Sequence, residues 1–236
     1  MGLSIVIPIY KEKNNLQKLL YRISKSFKEK NYEIIIIDDD SKDGSEEILN
    51  ILKKKYKKLN FFIRKQKPRD LSKSCTYGFS KTKFKNILVM DGDLQHRPEE
   101  INKLYKSFIN LNCDFIVGNR GLLKKKNEGL NFIRLITSIL LIFIVNIFLG
   151  FKTNDPMSGF FIFKKKIFNE NKKNLFNQGY KILLDLIYTC KNPSVFDMYI
   201  NFKSRQKGFS KMDFKVIYLL ALIIFQKFLR RIFNYF

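Results

Sequence analysis

The sequence predicts an α/β protein built on a mostly parallel, doubly wound sheet. Two observations carry this. Short apolar runs alternate with longer amphipathic segments through the N-terminal half, the pattern of repeated β-α units. Two of those runs end in acidic turns, Asp38-Asp39-Asp40 and Asp91-Gly92-Asp93. In an open α/β sheet, ligands bind just outside the carboxyl ends of the strands. The acidic turns therefore mark both a strand end and a place to look for chemistry.

The elements follow in order. Residues 3–9 form an apolar run closed by Pro8-Ile9-Tyr10, a first strand and its loop. Residues 11–30 carry Leu16, Leu19, Leu20, Ile23 and Phe27 at helical spacing. A second buried strand spans 33–37. Asp43-Gly44-Ser45 then turns into a helix whose apolar face is Ile48, Leu49, Ile51 and Leu52. Residues 60–63 read as a strand, 72–80 as a helix and 87–90 as the next strand. Pro98-Glu99-Glu100 opens a helix with proline and acids in its first turn, running to about 111. Strands follow at 114–118, up to 163 and at 196–202, with a helix at 179–188 that carries Asp185 on an otherwise apolar stretch.

Residues 135–151 contain no charged side chain. A membrane span needs roughly 17–25 residues, so this run sits at the short edge. Thr137, Ser138 and Asn146 interrupt it, and Arg134 and Lys152 flank both ends, so no charge bias sets an orientation. A helix lying in the membrane interface is expected, its basic flanks attracted to anionic headgroups. A buried core helix is the alternative. Residues 216–225 are apolar and too short to span, and Lys227, Arg230 and Arg231 follow, which suggests a second interfacial helix.

At 236 residues the chain is one large domain or one domain with appendages, ample for a core. Lys and Arg number 45 against 21 Asp and Glu, a formal charge of +24. That excess favours anionic partners: nucleic acid, an anionic membrane surface or phosphorylated substrates. Part of it is general lysine richness. The single histidine, His96, excludes any mechanism that needs two. Cys75, Cys113 and Cys190 have neither zinc spacing nor the even number of a disulfide framework, and read as reduced core residues in a cytosolic compartment. A strand begins almost at the first residue, so no signal peptide is expected.

The stretch from Ile87 to Gln95 is the candidate centre. Asp91 and Asp93, two residues apart at a strand end, can converge on one hard cation, and Mg²⁺ takes one or two carboxylates while sharing substrate phosphate oxygens. Gly92 allows close backbone approach to a ligand. The same Asp-Gly-Asp is also ordinary turn chemistry, and helix capping by Asp and Ser accounts for some of the other acids. Arg205-Gln206-Lys207-Gly208-Phe209-Ser210-Lys211 is either a solvated basic loop or a phosphate clamp, arginine offering a planar fork and lysine a point charge. Acids at the strand ends argue against a nucleic-acid groove.

Six segments, in order, resemble the family 2 glycosyltransferases, and within them the dolichyl-phosphate mannosyltransferase group of polyprenyl-phosphate glycosyltransferases. They are Ser4-Ile5-Val6-Ile7-Pro8-Ile9-Tyr10-Lys11-Glu12, then Ile37-Asp38-Asp39-Asp40-Ser41-Lys42-Asp43-Gly44-Ser45, then Met90-Asp91-Gly92-Asp93-Leu94-Gln95-His96-Arg97-Pro98-Glu99. Val117-Gly118-Asn119-Arg120, Asp155-Pro156-Met157-Ser158-Gly159-Phe160 and the 205–211 loop complete the set. The resemblance implies a GT-A fold, a Rossmann-like nucleotide-binding sheet over about 1–120 and an acceptor half over about 121–212, the latter including the apolar helix at about 132–150. Residues 213–236 would form a C-terminal interfacial helix. It implies inverting transfer of a hexose, most simply mannose from GDP-mannose, to a polyprenyl phosphate. The alternative is a family 2 enzyme using a UDP-sugar and another glycan or lipid acceptor. A non-enzymatic basic binding module is the third reading.

Carried over residue by residue, the resemblance places Pro8, Tyr10, Glu12, Asp39, Asp91, Gly92, Asp93 and Arg120 at the nucleotide sugar. Asp91, Asp93 and Gln95 would hold Mg²⁺ or Mn²⁺. Arg120, Arg134, Ser138, Arg205 and Lys211 would meet the acceptor phosphate, with Asp91, Asp93, Arg205 and Lys211 central to catalysis. The expected partners are a nucleotide-sugar donor, a polyprenyl-phosphate acceptor and an anionic membrane surface, with no nucleic acid. The expected location is the cytoplasmic face of a membrane, held peripherally. Two departures stand out. Gly121-Leu122-Leu123-Lys124-Lys125-Lys126 replaces a tyrosine- and glycine-containing segment of the family, and Asp185 stands where the family usually has Glu.

Overall fold

In the computed structural model, residues 2–121, 132–201 and 214–233 are described. The chain runs β1 (Leu3–Ile9), α1 (Lys13–Ser26), β2 (Tyr32–Asp38), α2 (Ser45–Lys55), β3 (Leu59–Ile63), α3 (Leu71–Lys81), β4 (Asn86–Val89), α4 (Glu100–Leu111) and β5 (Phe115–Asn119). It continues with α5 (Phe132–Leu149), β6 (Phe161–Lys164), α6 (Lys165–Asn171), a 3₁₀ turn (Lys172–Asn174), α7 (Ile182–Thr189), β7 (Val195–Tyr199) and α8 (Phe214–Phe233). The strands form one sheet in the order β3-β2-β1-β4-β6-β5-β7. All neighbours are parallel except β6, which runs antiparallel to β4 and β5.

The continuous apolar character of β1 and β2 has a direct cause: both strands are buried along their whole length. Successive side chains point to opposite faces. Ile5, Ile7, Ile34 and Ile36 pack under α1, α2 and α4, with Leu16, Leu20, Leu49 and Leu104. Val6, Ile35 and Ile37 pack on the other face, against Cys75 and Phe79 of α3 and Ile182 and Leu186 of α7. A third cluster joins Val145 and Leu149 of α5, Leu184 of α7 and Leu220, Ile223 and Ile224 of α8. Cys75 and Cys113 are buried and Cys190 half-buried, and burial raises all three thiols, Cys190 to about 12. They are inert thiols of the core and its edge.

Boundaries differ from the sequence expectation where local backbone intervenes. Lys11 takes a positive φ of 59°, which delays α1 to Lys13. The lysine-rich α6 and the turn after it were not foreseen, because only Ile167 and Phe168 of that stretch are buried and no periodicity shows.

The reversal of β6 matters most for function. An antiparallel strand begins where its parallel neighbours end, and Phe161 pairs with Val89 of β4 and Val117 of β5. The Asp155–Phe160 segment is thereby delivered to the carboxyl ends of β4 and β5.

Among the described residues no helix is long and apolar enough to cross a membrane. The two alternatives for the apolar run each describe one side of α5. Ile142, Val145 and Leu149 are buried, while Ile136, Leu140, Phe143 and Ile147 are exposed. α8 likewise leaves Ile217, Tyr218, Phe225 and Phe233 exposed. Of the three cations that the sequence sets after the apolar run, Lys227 is buried, Arg230 donates to Asn174 O (2.7 Å), and Arg231 is exposed and donates to Phe148 O (3.2 Å).

Candidate active site

The carboxyl ends of β1, β2 and β4 open on a cleft of about 430 Å³. Pro8 and Ile9 enter from the end of β1, Tyr10 and Glu12 from the loop after it, Asp39 from the end of β2, and Asp91, Gly92, Asp93 and Gln95 from the turn after β4. Arg69, Asp70, Leu71 and Ser74 come from the start of α3, and Tyr180 from the approach to α7. The Arg69 guanidinium lies 4.7 Å from the Tyr10 ring centre, a cation–π contact at the rim.

The acidic wall is held in place by glycine and backbone. Asp93 Oδ1 accepts the Gln95 N–H at 3.1 Å, which closes the turn and keeps Gln95 beside it. A Cβ placed at Gly159 would lie 2.7 Å from Asp91 Oδ2, so only glycine leaves room for that carboxylate. A Cβ at Gly92 would lie 2.7 Å from Ile9 Cγ2. The close approach at Gly92 is therefore to the end of β1, as well as to the open cleft that the sequence suggested. Asp91 remains 37% exposed, accessible to a ligand.

Of the three consecutive aspartates after β2, only Asp39 lines the cleft. Asp38 accepts from the Ser41 N–H and hydroxyl, and burial raises its pKa. Asp40 pairs with Lys67 at 2.6 Å. Asp38 thus closes the turn after β2, Asp40 is neutralised by Lys67, and Asp43 accepts the N–H groups of Ser45 and Lys13, the first residues of α2 and α1. Asp39 is buried, 2.5 Å from the guanidinium of Arg64, and its Oδ2 accepts the Asp70 N–H at 2.7 Å. Asp70 in turn caps α3 through Lys73 N–H and accepts the Gly179 N–H at 2.6 Å. Burial raises the Asp70 pKa, and these N–H groups work against that rise.

Beside the cleft, Arg120 grips Asp155 with two parallel bonds of 2.7 Å. Asp155 is 0% exposed. Burial opposes the guanidinium charge, but Asp155 outweighs it and raises the arginine's pKa. Lys181, half-buried at the start of α7, is pushed down to about 8 by burial and by Arg120, against the pull of Asp155 and Asp91. His96 is buried, stacks on Phe160 and accepts the Asp91 N–H at Nδ1 (3.3 Å). Burial pushes its pKa down to about 4, so the imidazole is neutral near physiological pH. It supports the turn rather than carrying protons.

The structure brings together Pro8, Tyr10, Glu12, Asp39, Asp91, Gly92, Asp93 and Gln95 on the cleft wall. Arg120 stands behind that wall, against Asp155. Ser138 lies half-buried on α5, and Arg134 is in the first turn of that helix with its side chain outside the described residues. Arg205 and Lys211 lie outside the described residues altogether. Arg69, Asp70, Ser74, Tyr180 and Lys181 were not singled out from the sequence. The only local signals were the Asp70 cap and Gly179-Tyr180-Lys181 ahead of an apolar helix.

Residues 4–171 match the glycosyl transferase family 2. A dolichol-phosphate mannosyltransferase of Pyrococcus furiosus is 34% identical over 220 residues, covering 92% of this chain and 61% of its own length. Proteins of the same name from Mycosarcoma maydis and Saccharomyces cerevisiae are 32% and 31% identical, and this chain covers 75% and 82% of their lengths. The chain thus spans about three-fifths of the Pyrococcus relative and more of the other two. Among solved structures, glucosyl-3-phosphoglycerate synthase of Mycobacterium tuberculosis, in complex with Mn²⁺, uridine diphosphate and glucosyl-3-phosphoglycerate, superposes with a TM-score of 0.71 at 15% identity, over 97% of this chain and 79% of that one. S. aureus TarS, residues 1–349, superposes at 0.62 with 18% identity, over 99% of this chain and 72% of that one. Fold and matched sequence together make this a glycosyltransferase of the GT-A class. The chain belongs to glycosyl transferase family 2.

Proposed function

We propose that the protein transfers mannose from GDP-mannose to a polyprenyl phosphate, with inversion at the anomeric carbon, at a membrane surface. The observation that carries the reading is the pairing of an acidic cleft at the strand ends with two helices, on the same body, that leave apolar side chains exposed. The naming of the relatives at 31–34% identity points the same way.

Asp91, Asp93 and Gln95 fit a hard divalent cation, Mg²⁺ or Mn²⁺. Their donors are all oxygens, and no larger group of three His, Cys, Asp or Glu converges among the described residues. Such a set leaves coordination positions for diphosphate oxygens, which is how Mg²⁺ is commonly held. Bound there, the ion supplies positive charge against the leaving diphosphate.

The chain's own residues do the remainder. Tyr10, Glu12 and Asp39 frame the nucleoside, Asp39 held rigid by Arg64 and Asp70. The acceptor phosphate is already an anionic nucleophile near neutral pH, so no strong general base is needed. The neutral, buried His96 accords with that. The task is then to bring two anions into line, and Arg120, Arg134, Ser138, Arg205 and Lys211 are the groups we assign to phosphate. The exposed faces of α5 and α8 would rest in the headgroup region of the cytoplasmic leaflet, which keeps the acceptor in reach.

A second reading, transfer from a UDP-sugar, is favoured by the uridine diphosphate in the solved neighbour, which at 15% identity speaks for fold alone. A thermal-shift panel separates the two. Ligand bound to the native state raises the melting temperature by mass action. A Mn²⁺-dependent rise with GDP and not UDP is expected. A rise with UDP alone supports the second reading, and no rise with either argues against a nucleotide-sugar site.

A further inference from the structure

Asp185 is a carboxylate on an apolar helix that the cleft does not use. Its side chain is 1% exposed, and Lys227 of α8, also 1% exposed, lies 2.6 Å from Oδ1. Apolar side chains could join α7 to α8 with less desolvation cost. They could not do what Asp185 also does, which is accept the backbone N–H groups of Phe176 (3.0 Å) and Asn177 (2.8 Å).

Those two bonds begin a continuous path to the cleft. Thr76 of α3 donates to Asn177 Oδ1 at 2.9 Å. Gly179 donates to Asp70 and accepts from the Ser72 N–H at 3.0 Å. Tyr180 then lines the cleft, and Lys181 follows within the electrostatic reach of Arg120, Asp155 and Asp91. Asn177 and Gly179 both have positive φ, 50° and 86°, the left-handed region that asparagine and glycine enter most readily, so these two residues turn the segment toward α7. On the far side, Lys227 also donates to Thr189 Oγ1 at 2.5 Å, and Arg230 donates to Asn174 O at 2.7 Å. α8 thus holds the segment at its start while α3 holds it at its end.

We propose that Asp185 is a positioning residue for the donor site: paired with Lys227, it fixes the 176–181 segment so that Tyr180 stands at the cleft. The proposal rests on the reading of that cleft as the nucleotide-sugar site. It makes α8 a part of donor binding, beyond its apolar face.

The test is calorimetric titration of GDP with Mn²⁺ into the full chain, with donor KM and kcat measured alongside. The double variant Asp185→Leu/Lys227→Met removes both charges and leaves no unpaired ion, a replacement that commonly preserves stability. It releases the N–H groups of Phe176 and Asn177. Nucleotide affinity and donor KM are expected to worsen about tenfold, with kcat changed less and melting within a few degrees of wild type. Lys227→Arg, which keeps the charge, is expected to stay within about twofold. A double variant that binds as wild type overturns the proposal. Should that variant not fold, Thr76→Val, which removes the tie to Asn177 together with the hydroxyl's bond to Lys73 O within α3, carries the test: about threefold weaker binding supports the proposal and unchanged binding overturns it. A wild type that binds neither GDP nor UDP contradicts the donor reading itself, and the proposal falls with it.

Discussion

The cleft and the α5–α8 pair handle charge in opposite settings. Around the cleft, each buried carboxylate is matched by a cation or by backbone N–H groups: Asp39 by Arg64 and Asp70 N, Asp155 by Arg120, Asp70 by Lys73 N and Gly179 N. Where the helix pair packs on α7 the shared cluster is apolar, and the buried ion pair Asp185–Lys227 joins α7 to α8. In a chain of +24, Arg64 and Arg120, two described cations near the candidate chemistry, are engaged in holding acids still. Net charge indicates the class of partner, and it does not by itself say which cations face that partner.

The largest effect should come from the exposed acid of the cleft. Asp91→Ala removes a carboxylate assigned to the metal and diphosphate, and transfer is expected to fall by roughly 10³-fold or more. Melting should stay near wild type, because Asp91 is 37% exposed. Substantial turnover in the folded variant would leave the acidic wall with a structural role only.

Next is the buried support. Arg64→Ala leaves Asp39 charged and unpaired inside the protein, and such breaks cost about 3–5 kcal/mol. Urea denaturation should show that loss. A change below about 1 kcal/mol would mean that water reaches Asp39 and that the cleft floor is softer than its geometry indicates.

The helix pair should respond differently. Phe143→Ser with Phe225→Ser removes two exposed apolar side chains, each contributing on the order of 1 kcal/mol or more when buried. Partition onto anionic vesicles is expected to weaken at least tenfold, with GDP affinity unchanged. Equal loss of both would show that the exposed face is coupled to the cleft, and loss of neither would remove the membrane surface from the account.

The smallest effect tests burial itself. Arg22 and Glu99 form the same fork-to-carboxylate contact as Arg120 and Asp155, but Glu99 is 45% exposed. Arg22→Ala is expected to cost about 0.5 kcal/mol. A cost near that of Arg64→Ala would dissolve the distinction between the two settings.

Much of the sheet was legible because buried parallel strands are apolar at most positions, and β1 is read to the residue. The acidic turns were legible because their members lie close in sequence, Asp38 to Asp40 and Asp91 with Asp93. What stayed hidden depends on contacts distant in sequence. Asp70 reads as a helix cap, but its hold on Gly179 spans 109 residues. Lys227 reads as a flanking cation, and only the fold turns it inward to Asp185. Among Asp38, Asp39 and Asp40, identical residues diverge because Ser41 and Lys67 engage two of them.

The most direct test of the central claim is transfer of radiolabelled mannose from GDP-mannose to polyprenyl phosphate in vesicles, with the purified full chain. Label is expected in the organic phase, dependent on the lipid phosphate and abolished by a chelator. Label that stays aqueous with GDP-mannose, while a UDP-sugar supports transfer to a soluble acceptor, would contradict it.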